Sequence, residues 1–447
     1  MRGSDGAPGG RPSQQAPRPA TGIGVAAALL TAVALLVTAA CSGGGVLTSP
    51  KAKATKATPT TQVTITPANG RSGVKPRTGI TVTVARGKLT DVSVKTKGTQ
   101  VSGGYSQGGR VWRSNWTLGT SQHFVVTASA HGTDGKAVTA TSAFHTLSPK
   151  ESFQTQIFEG SGQSYGVGMP VKLSFSQPIT NKAAVERALE LRASKSVVGA
   201  WWWDGSQTLD FRPKKFWPHH TTVWFTGHLD GVEGAPGVYG TSNLTQKFHI
   251  GDSLIARVST SHHYMKVYRN GKHLYTWPIS TGKVGDETPN GIFLTIDKGN
   301  PVEMKPADIK PGQPGYYDEK VAWSVRFTWS GDYIHSAPWS VGEQGSSNVS
   351  HGCVNLGPAY APIYYKMEVP GDPVIVTGSP VHGAWDDGWT DYFLSWRKML
   401  SYSATNQAVK VGPHGSSFVD PDALNPPATP SAAPTATTSA PSSSATP

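Results

Sequence analysis

Cysteine is almost absent from this chain. Its 447 residues contain two cysteines, Cys41 and Cys353. A cysteine without a partner pairs between molecules, packs as an inert small hydrophobe, or keeps a free thiol for chemistry. The small, polar and imidazole residues around Cys353 are not typical of an apolar core strand, so this context favours a reactive thiol.

Acidic residues are also scarce. The chain has 28 Asp and Glu against 40 Lys and Arg, a formal net charge of +12. This balance favours an anionic partner, such as nucleic acid, phospholipid or an anionic wall polymer. The basic residues are scattered and no nucleic-acid-binding module is recognisable, so we expect a membrane or wall environment and no nucleic acid.

Hydrophobic residues make up only 37% of the chain, which contains 51 glycines and 34 prolines. Such a composition is typical of turn-rich β domains joined by loops. A chain of this length exceeds what one hydrophobic core can organise, and about three domains are expected.

The one long apolar run extends from Ile23 to Ala40, and Arg2, Arg11 and Arg18 precede it. A basic region, an apolar run and small residues in this order are typical of a secretory signal. An uncleaved anchor is the alternative, since a membrane span needs about 20 apolar residues. Both interpretations place the rest of the protein outside the cell membrane.

The end of this run resembles a bacterial lipoprotein signal: Leu36-Val37-Thr38-Ala39-Ala40-Cys41-Ser42-Gly43 departs from that pattern only at Thr38, where an aliphatic residue is usual. The resemblance implies that residues 1–40 are removed and Cys41 is lipidated. The protein would then be extracytoplasmic, anchored in the cell membrane by lipid and facing the cell wall, with Cys353 as a free thiol. Residues 41–61 lack periodicity and are predicted to be a flexible tether.

Two stretches, 62–148 and 149–250, are predicted to be β-sandwich domains. Short segments with a period of two, such as Ile80–Val84 and Val171–Phe175, are separated by Gly-containing turn signals. A short helix is predicted over residues 183–189. Trp201-Trp202-Trp203 suits core and edge packing better than a sugar-stacking platform, because alternate side chains of a strand face opposite ways.

Residues 251–378 are predicted to form a third β domain. It begins with a hairpin that turns at Asn270-Gly271. Between Lys298 and Trp323 lies an aperiodic stretch interrupted by Pro and Gly, which predicts an active-site lid; a mobile surface insertion is the alternative. An amphipathic pattern over 385–396 predicts a short helix within a packing segment, 379–410. The composition of residues 411–447 predicts a disordered Pro/Ala/Ser/Thr tail.

The chemistry of the chain is concentrated in Ser350-His351-Gly352-Cys353-Val354-Asn355 and in His335 upstream. A thiolate is the reactive form of cysteine, and a nearby imidazole activates it by taking its proton. Such a pair performs acyl transfer in two steps, through a thioester that a second nucleophile releases.

Together with Ser280-Thr281-Gly282 and Thr288-Pro289-Asn290-Gly291, this signature resembles the L,D-transpeptidases of bacterial cell walls, which have a YkuD-type catalytic domain. The overall organisation is similar to the long members of that family. The resemblance implies a mainly β chain with two immunoglobulin-like β-sandwiches, a catalytic β domain and a short C-terminal helical segment.

The resemblance also implies roles for individual residues. Cys353 would be the nucleophile, His335 its base, and Ser336 would orient the imidazole through its backbone carbonyl. Gly352 would let the substrate approach the backbone closely, and amides at Cys353 would form the oxyanion hole. The positions expected to hold the stem peptide are Tyr317, Ser330, Gly331, Trp339, Ser350, His351, Gly352 and Asn355.

Asp230, Glu233 and Gly234 match a calcium site reported in such proteins. Two nearby carboxylates and a backbone carbonyl suit this hard cation, while an ordinary acidic turn is the alternative. No cofactor is expected to be required for catalysis.

The expected function is that of a peptidoglycan L,D-transpeptidase. Cys353 would attack a tetrapeptide stem, release D-Ala, and pass the acyl group to the side-chain amine of a diamino acid, which gives a 3→3 cross-link. Carbapenems and other β-lactams are expected to acylate the thiol. The alternatives are a carboxypeptidase-type thiol hydrolase of the same fold and a wall-binding scaffold in which Cys353 is vestigial.

Overall fold

The computed structural model describes residues 60–306, 309–314 and 316–421 of the chain. The predicted signal segment, Cys41 and the end of the predicted tail lie outside these residues. Strands dominate the described part, which has no helix long and apolar enough to cross a membrane.

The first domain is a sandwich of two four-stranded sheets, ordered β1-β2-β6-β5 and β4-β3-β7-β8. Alternation along β2 and β7 buries Val82, Val84, Phe124 and Val126 between the sheets. Its strands are β1 (Gln62–Thr66), β2 (Thr81–Ala85), β3 (Gly87–Thr96), β4 (Thr99–Gln100), β5 (Gly103–Ser106), β6 (Val111–Ser114), β7 (His123–Gly132) and β8 (Ala137–His145).

The second domain is also a sandwich. Trp201 and Trp203 face its core and Trp202 faces the opposite side of the sheet; all three are buried, so the packing interpretation is confirmed. Its elements are β9 (Glu151–Phe153), β10 (Thr155–Ile157), β11 (Ser164–Tyr165), β12 (Val171–Phe175), α1 (Lys182–Arg187), β13 (Leu189–Ala193), β14 (Val197–Asp204), β15 (Thr208–Pro213), β16 (Thr221–Gly227), β17 (Glu233–Ala235), β18 (Val238–Gly240) and β19 (Leu244–Ile250).

The third domain is built on a nine-stranded sheet, ordered β23-β30-β20-β21-β22-β29-β28-β27-β24. The predicted hairpin is confirmed: Arg269 pairs with Lys272 around Asn270-Gly271, both with positive φ. The elements are β20 (Leu254–Ser259), β21 (Tyr264–Arg269), β22 (Lys272–Ser280), β23 (Gly291–Leu294), β24 (Lys298–Gly299), β25 (Val302–Met304), β26 (Glu319–Val321), β27 (Ser324–Arg326), β28 (Tyr333–Ser336), β29 (Val354–Leu356), α2 (Ala361–Met367) and β30 (Pro373–Thr377).

The stretch predicted as a lid contains regular structure. β25 and β26, near its two ends, pair antiparallel as the arms of a hairpin. Met304 and Tyr317 of this hairpin line the pocket described below.

The C-terminal segment differs from its prediction in two ways. The helix α3 spans Trp396–Leu400, beyond the predicted 385–396, because Gly388 has a φ of +119° and Ser395 caps the helix by accepting from Lys398 N–H. The tail predicted as disordered from residue 411 instead begins with strands β31 (Ala408–Gly412) and β32 (Gly415–Val419). They extend the sheet of the second sandwich to β10-β12-β15-β14-β31-β32, opposite β11-β19-β16-β13.

The second sandwich and the third domain share apolar packing. Leu294 and Ile296 of the third domain belong to the core of the second sandwich. Backbone bonds from Gly166 N–H to Pro370 O (2.8 Å) and from Gly168 N–H to Gly371 O (2.9 Å) join the two domains. The active-site domain is therefore held in a fixed position against its neighbour.

Candidate active site

The pairing of β28 with β29 brings the two parts of the signature together. These strands are parallel neighbours, and His335 lies opposite Asn355 in their register. Cys353 immediately precedes β29, so the thiol and the imidazole line the same pocket.

The imidazole of His335 is buried and oriented by its neighbour. Its Nδ1 donates a hydrogen bond to Ser336 O over 3.0 Å. Nε2 is therefore the nitrogen left to accept a proton. Burial lowers the pKa of His335 to about 4, and the hydrogen bond to Ser336 O opposes this shift only in part. The ring is therefore neutral at pH 7. This is the role that the sequence predicted for Ser336.

The thiol of Cys353 is half-buried, and its Sγ lies 3.8 Å from Gly331 O. Burial and, to a smaller extent, the Asp332 carboxylate raise its pKa to about 12, and the backbone N–H of Tyr333 opposes the shift. The resting pair is therefore a neutral thiol and a neutral imidazole. Attack on a carbonyl then has to be coupled to proton transfer from Sγ to the base.

The pocket around this pair has a volume of about 270 Å³. Five of the eight residues predicted to hold substrate line it: Tyr317, Trp339, Ser350, His351 and Asn355. The Tyr317 ring stacks on His351 with centroids 5.3 Å apart, and Trp339 is 56% exposed at the rim. The other lining residues are Met304, Glu319, Val321, His335, Val349 and Cys353.

The remaining three predicted residues lie beside the pocket. Ser330 donates its hydroxyl and its backbone N–H to Asp387, both over 2.7 Å. Gly331 contributes its carbonyl next to Sγ. Gly352 has a φ of +121°, and a Cβ at this position would meet Asp332 Oδ1 at 2.3 Å, so both conformation and space require glycine.

Thr288 and Lys283 help to organise the site although neither was among the predicted site residues, and the predicted residue Ser350 acts together with Thr288. Ser350 Oγ donates to Cys353 O over 2.6 Å, and Thr288 donates its hydroxyl to Gly352 O, so both hold the turn that carries the nucleophile. Lys283 Nζ donates to His351 Nε2 over 2.8 Å. Thr288 is the first residue of the Thr288–Gly291 motif, and Lys283 directly follows Ser280-Thr281-Gly282. These positions were the signal in the sequence that could have identified both residues.

Asp332 also lies at the site and was not among the predicted site residues. Burial is the main cause that raises its pKa, to about 7, and repulsion from Asp387 adds to the effect. The only signal in the sequence was an acidic residue three positions before His335, a pattern that is ordinarily a solvated turn.

Of the predicted calcium ligands, Asp230 lies at the joint between the two sandwiches, and Gly234 O accepts from Thr180 N–H (2.9 Å) within the second sandwich. Asp230 Oδ1 accepts from Thr120 N–H (2.9 Å) and Oδ2 accepts from Gln122 Nε2 (2.8 Å), which binds the second sandwich to the first. Glu233 Oε1 accepts from Gly237 N–H over 3.1 Å. Within the described ranges, no group of three or more His, Cys, Asp or Glu side chains is arranged to hold a metal ion. The calcium site stays a prediction.

Comparison with known proteins gives matches along most of the chain. A bacterial Ig domain matches residues 71–233, and an L,D-transpeptidase catalytic domain matches residues 253–376. L,D-transpeptidase 2 of Mycobacterium tuberculosis is 31% identical over 83% of this chain and 92% of its own length. The chain belongs to the L,D-transpeptidase family.

Other members of the family give the same result. L,D-transpeptidase 5 of Mycobacterium tuberculosis is 33% identical over 77% of this chain and 78% of its own length. Among solved structures, an LD transpeptidase in complex with imipenem is 36% identical and covers 51% of this chain and all of its own (100%), with a TM-score of 0.45. L,D-transpeptidase 3 from Mycobacterium tuberculosis in complex with a faropenem-derived adduct is 32% identical over 50% of this chain and 97% of its own, with a TM-score of 0.42.

Proposed function

We propose that this protein cross-links peptidoglycan, with Cys353 as the nucleophile. The observation that carries the proposal is the position of His335: its Nδ1 is bound to Ser336 O, and it shares a pocket with a free thiol. Membership of the L,D-transpeptidase family supplies the substrate class, a stem peptide of the wall.

In the first half-reaction, the carbonyl of the stem peptide lies beside Sγ. His335 Nε2 takes the thiol proton as Sγ attacks, and backbone amides at Cys353 stabilise the oxyanion. The imidazolium then protonates the amine of the departing D-Ala, which leaves a thioester on Cys353. In the second half-reaction, the side-chain amine of a neighbouring stem attacks the thioester and gives the 3→3 link.

The test is incubation of the purified protein with disaccharide-tetrapeptide, followed by mass spectrometry. A dimer that has lost one D-Ala is the expected product. Tripeptide alone would indicate a hydrolase. A Cys353→Ala variant that retained either activity would refute the nucleophile assignment. Cys353→Ser, which places a hydroxyl where the thiol was, is the matched variant.

β-Lactams are proposed as covalent inhibitors, since a strained amide presents the same carbonyl to the thiol. Imipenem and a faropenem-derived adduct are bound in the two related structures named above. Intact-mass measurement of this protein with imipenem should show one adduct. The same measurement on Cys353→Ala should show none.

Export and anchoring through Cys41 remain part of the proposal. The supporting feature is the lipoprotein-like end of the apolar run before Cys41. Fractionation of cells that express the full chain should find it with the membrane, and Cys41→Ala should release it or leave the apolar segment uncleaved. Recovery of the unmodified wild type in the cytosol would overturn this part.

A further inference from the structure

Asp332 lies next to the nucleophile, on a loop that the structure holds firmly. The loop joins β27 to β28, and Thr328 Oγ1 accepts from Gly331 N–H (3.2 Å) and Asp332 N–H (2.7 Å). Asp332 Oδ1 occupies the space where a side chain of residue 352 would be, so its carboxylate lies beside Gly352, the residue before Cys353.

The loop and the pocket lie around different parts of the thiol. His335, Tyr317 and Trp339 line the pocket. Residues 330–332 are not part of that lining, and Gly331 O and Tyr333 N–H approach Sγ from the loop. A thioester on Cys353 whose acyl chain fills the pocket would therefore leave the loop side for the second substrate.

Among the residues that the structure describes, no cation pairs with the Asp332 carboxylate. The groups that act on its carboxyl are Asp387 of the C-terminal segment, which repels it, and the Thr328 hydroxyl, which donates to it. Its charge in turn acts on Cys353 and on the hydroxyl of Tyr317, which lies just before β26. A half-buried carboxylate without a cationic partner costs free energy of folding. A cationic group of a substrate would supply that partner.

We propose that Asp332 receives the acceptor: its carboxylate binds the cationic primary amine of the second stem and takes a proton from it, so that an amine rather than water releases the thioester. This inference rests on the proposed function. It assigns to one residue the choice of acceptor that the sequence left open.

The proton balance is complete without a further reagent. The ammonium gives one proton to the Asp332 carboxylate, and the neutral nitrogen attacks the thioester carbonyl. As the new C–N bond forms and the C–S bond breaks, His335 takes the second proton from nitrogen and returns it to Sγ. Asp332 then releases its proton to solvent, and a secondary amide and a free thiol remain.

The protonation behaviour of Asp332 suits this role. Its pKa near 7 makes the carboxylate available at neutral pH and lets it hold a proton briefly, since a general base works best near the working pH. The pKa of the acceptor amine is about 10.4, so this amine arrives charged and needs such a base.

The experiment compares the wild type with Asp332→Asn on disaccharide-tetrapeptide and follows dimer and tripeptide separately. We expect D-Ala release and imipenem acylation in Asp332→Asn to be no slower than in the wild type, because removal of the negative charge makes the thiol more acidic. The ratio of dimer to tripeptide should fall by about tenfold or more. In the wild type this ratio should rise with pH up to about 7 and then level off as Asp332 becomes fully ionised. In the variant it should keep rising above pH 7, because it then follows the neutral fraction of the acceptor amine.

Asp297→Asn is the matched control, because it removes the same charge from an exposed side chain that pairs with Arg326 over 4.0 Å. An unchanged dimer-to-tripeptide ratio in Asp332→Asn would overturn the inference. Loss of acylation and of dimer in equal proportion would also overturn it, because that indicates a structural role. If the wild type releases no D-Ala, the proposed function fails and the inference fails with it.

Discussion

Glu186 and Trp203 are joined by a hydrogen bond of 2.8 Å from indole Nε1 to Oε1, in the interior of the second sandwich. The same carboxylate, which is fully buried, accepts from residues that follow α3: Ala404 N–H (2.7 Å), Ser403 Oγ (2.8 Å) and Thr405 Oγ1 (2.8 Å). One side chain thus fixes the returning C-terminal segment to the sandwich.

Replacement of Glu186 by Gln should destabilise the protein. In the wild type, the two carboxylate oxygens accept from all of these donors. In the variant, an amide nitrogen that can only donate replaces one oxygen and faces some of them, so we expect a loss of about 2–4 kcal/mol in the free energy of unfolding. Urea unfolding followed by tryptophan fluorescence measures it. Glu190→Gln, at a half-exposed carboxylate, should change the midpoint little. Equal midpoints for wild type and Glu186→Gln would contradict the assigned role.

The resting thiol should react slowly with alkylating agents. Because the pKa of Cys353 is raised to about 12 and that of His335 is lowered to about 4, no thiolate–imidazolium pair exists near neutral pH. The rate of iodoacetamide labelling should therefore rise about tenfold per pH unit from pH 7 to pH 10, since it follows the thiolate fraction. Labelling is read by intact mass. A plateau that begins below pH 7 would show a preformed ion pair instead.

Replacement of Gly352 by Ala should remove most activity. The new Cβ would meet Asp332 Oδ1 at 2.3 Å, and a φ of +121° disfavours any residue with a side chain. Displacement of the adjacent thiol by about 1 Å is enough to slow acylation by about 100-fold. Gly342→Ala is the control, because a Cβ there meets nothing within 4 Å. Normal imipenem acylation in Gly352→Ala would show that the turn adapts at little cost.

Asp230→Ala should loosen the joint between the sandwiches without affecting catalysis. Thr120 N–H and Gln122 Nε2 lose their acceptors, which is worth about 1–3 kcal/mol. Differential scanning calorimetry should show a lower melting temperature at unchanged imipenem acylation, and Asp134→Ala in an exposed turn serves as the control. If the calcium prediction is right, added Ca²⁺ raises the melting temperature of the wild type only. An equal response in both proteins would remove Asp230 from that site.

Local sequence was a good guide where local physics decides the structure. Asn270-Gly271 supplies the two positive φ angles that a tight hairpin needs, and the hairpin formed where it was predicted. Alternation placed Trp201 and Trp203 on one face and Trp202 on the other. The spacing of His335 and Cys353 pointed to one site, although only the parallel pairing of β28 and β29 brings them together.

Long-range contacts were beyond the same reasoning. β31 forms because Val197–Gly199 of β14 offer a free edge about two hundred residues earlier, which the composition of the tail does not reveal. Asp332 became significant only because Gly352 of another segment approaches it. Of the helix predicted over 385–396, one 3-10 turn forms, Asp391–Phe393, and Gly388 with its positive φ precedes it.

The return of β31 and β32 to the second sandwich has a mechanical consequence. The chain leaves that sandwich after Ile250 and comes back to it at Ala408, so the catalytic domain is an inserted side branch with both ends fastened to one neighbour. A stretching force applied at residues 60 and 421 runs through the two sandwiches and bypasses the branch. The thiol and its imidazole would then keep their geometry while the protein is under tension between two fixed points.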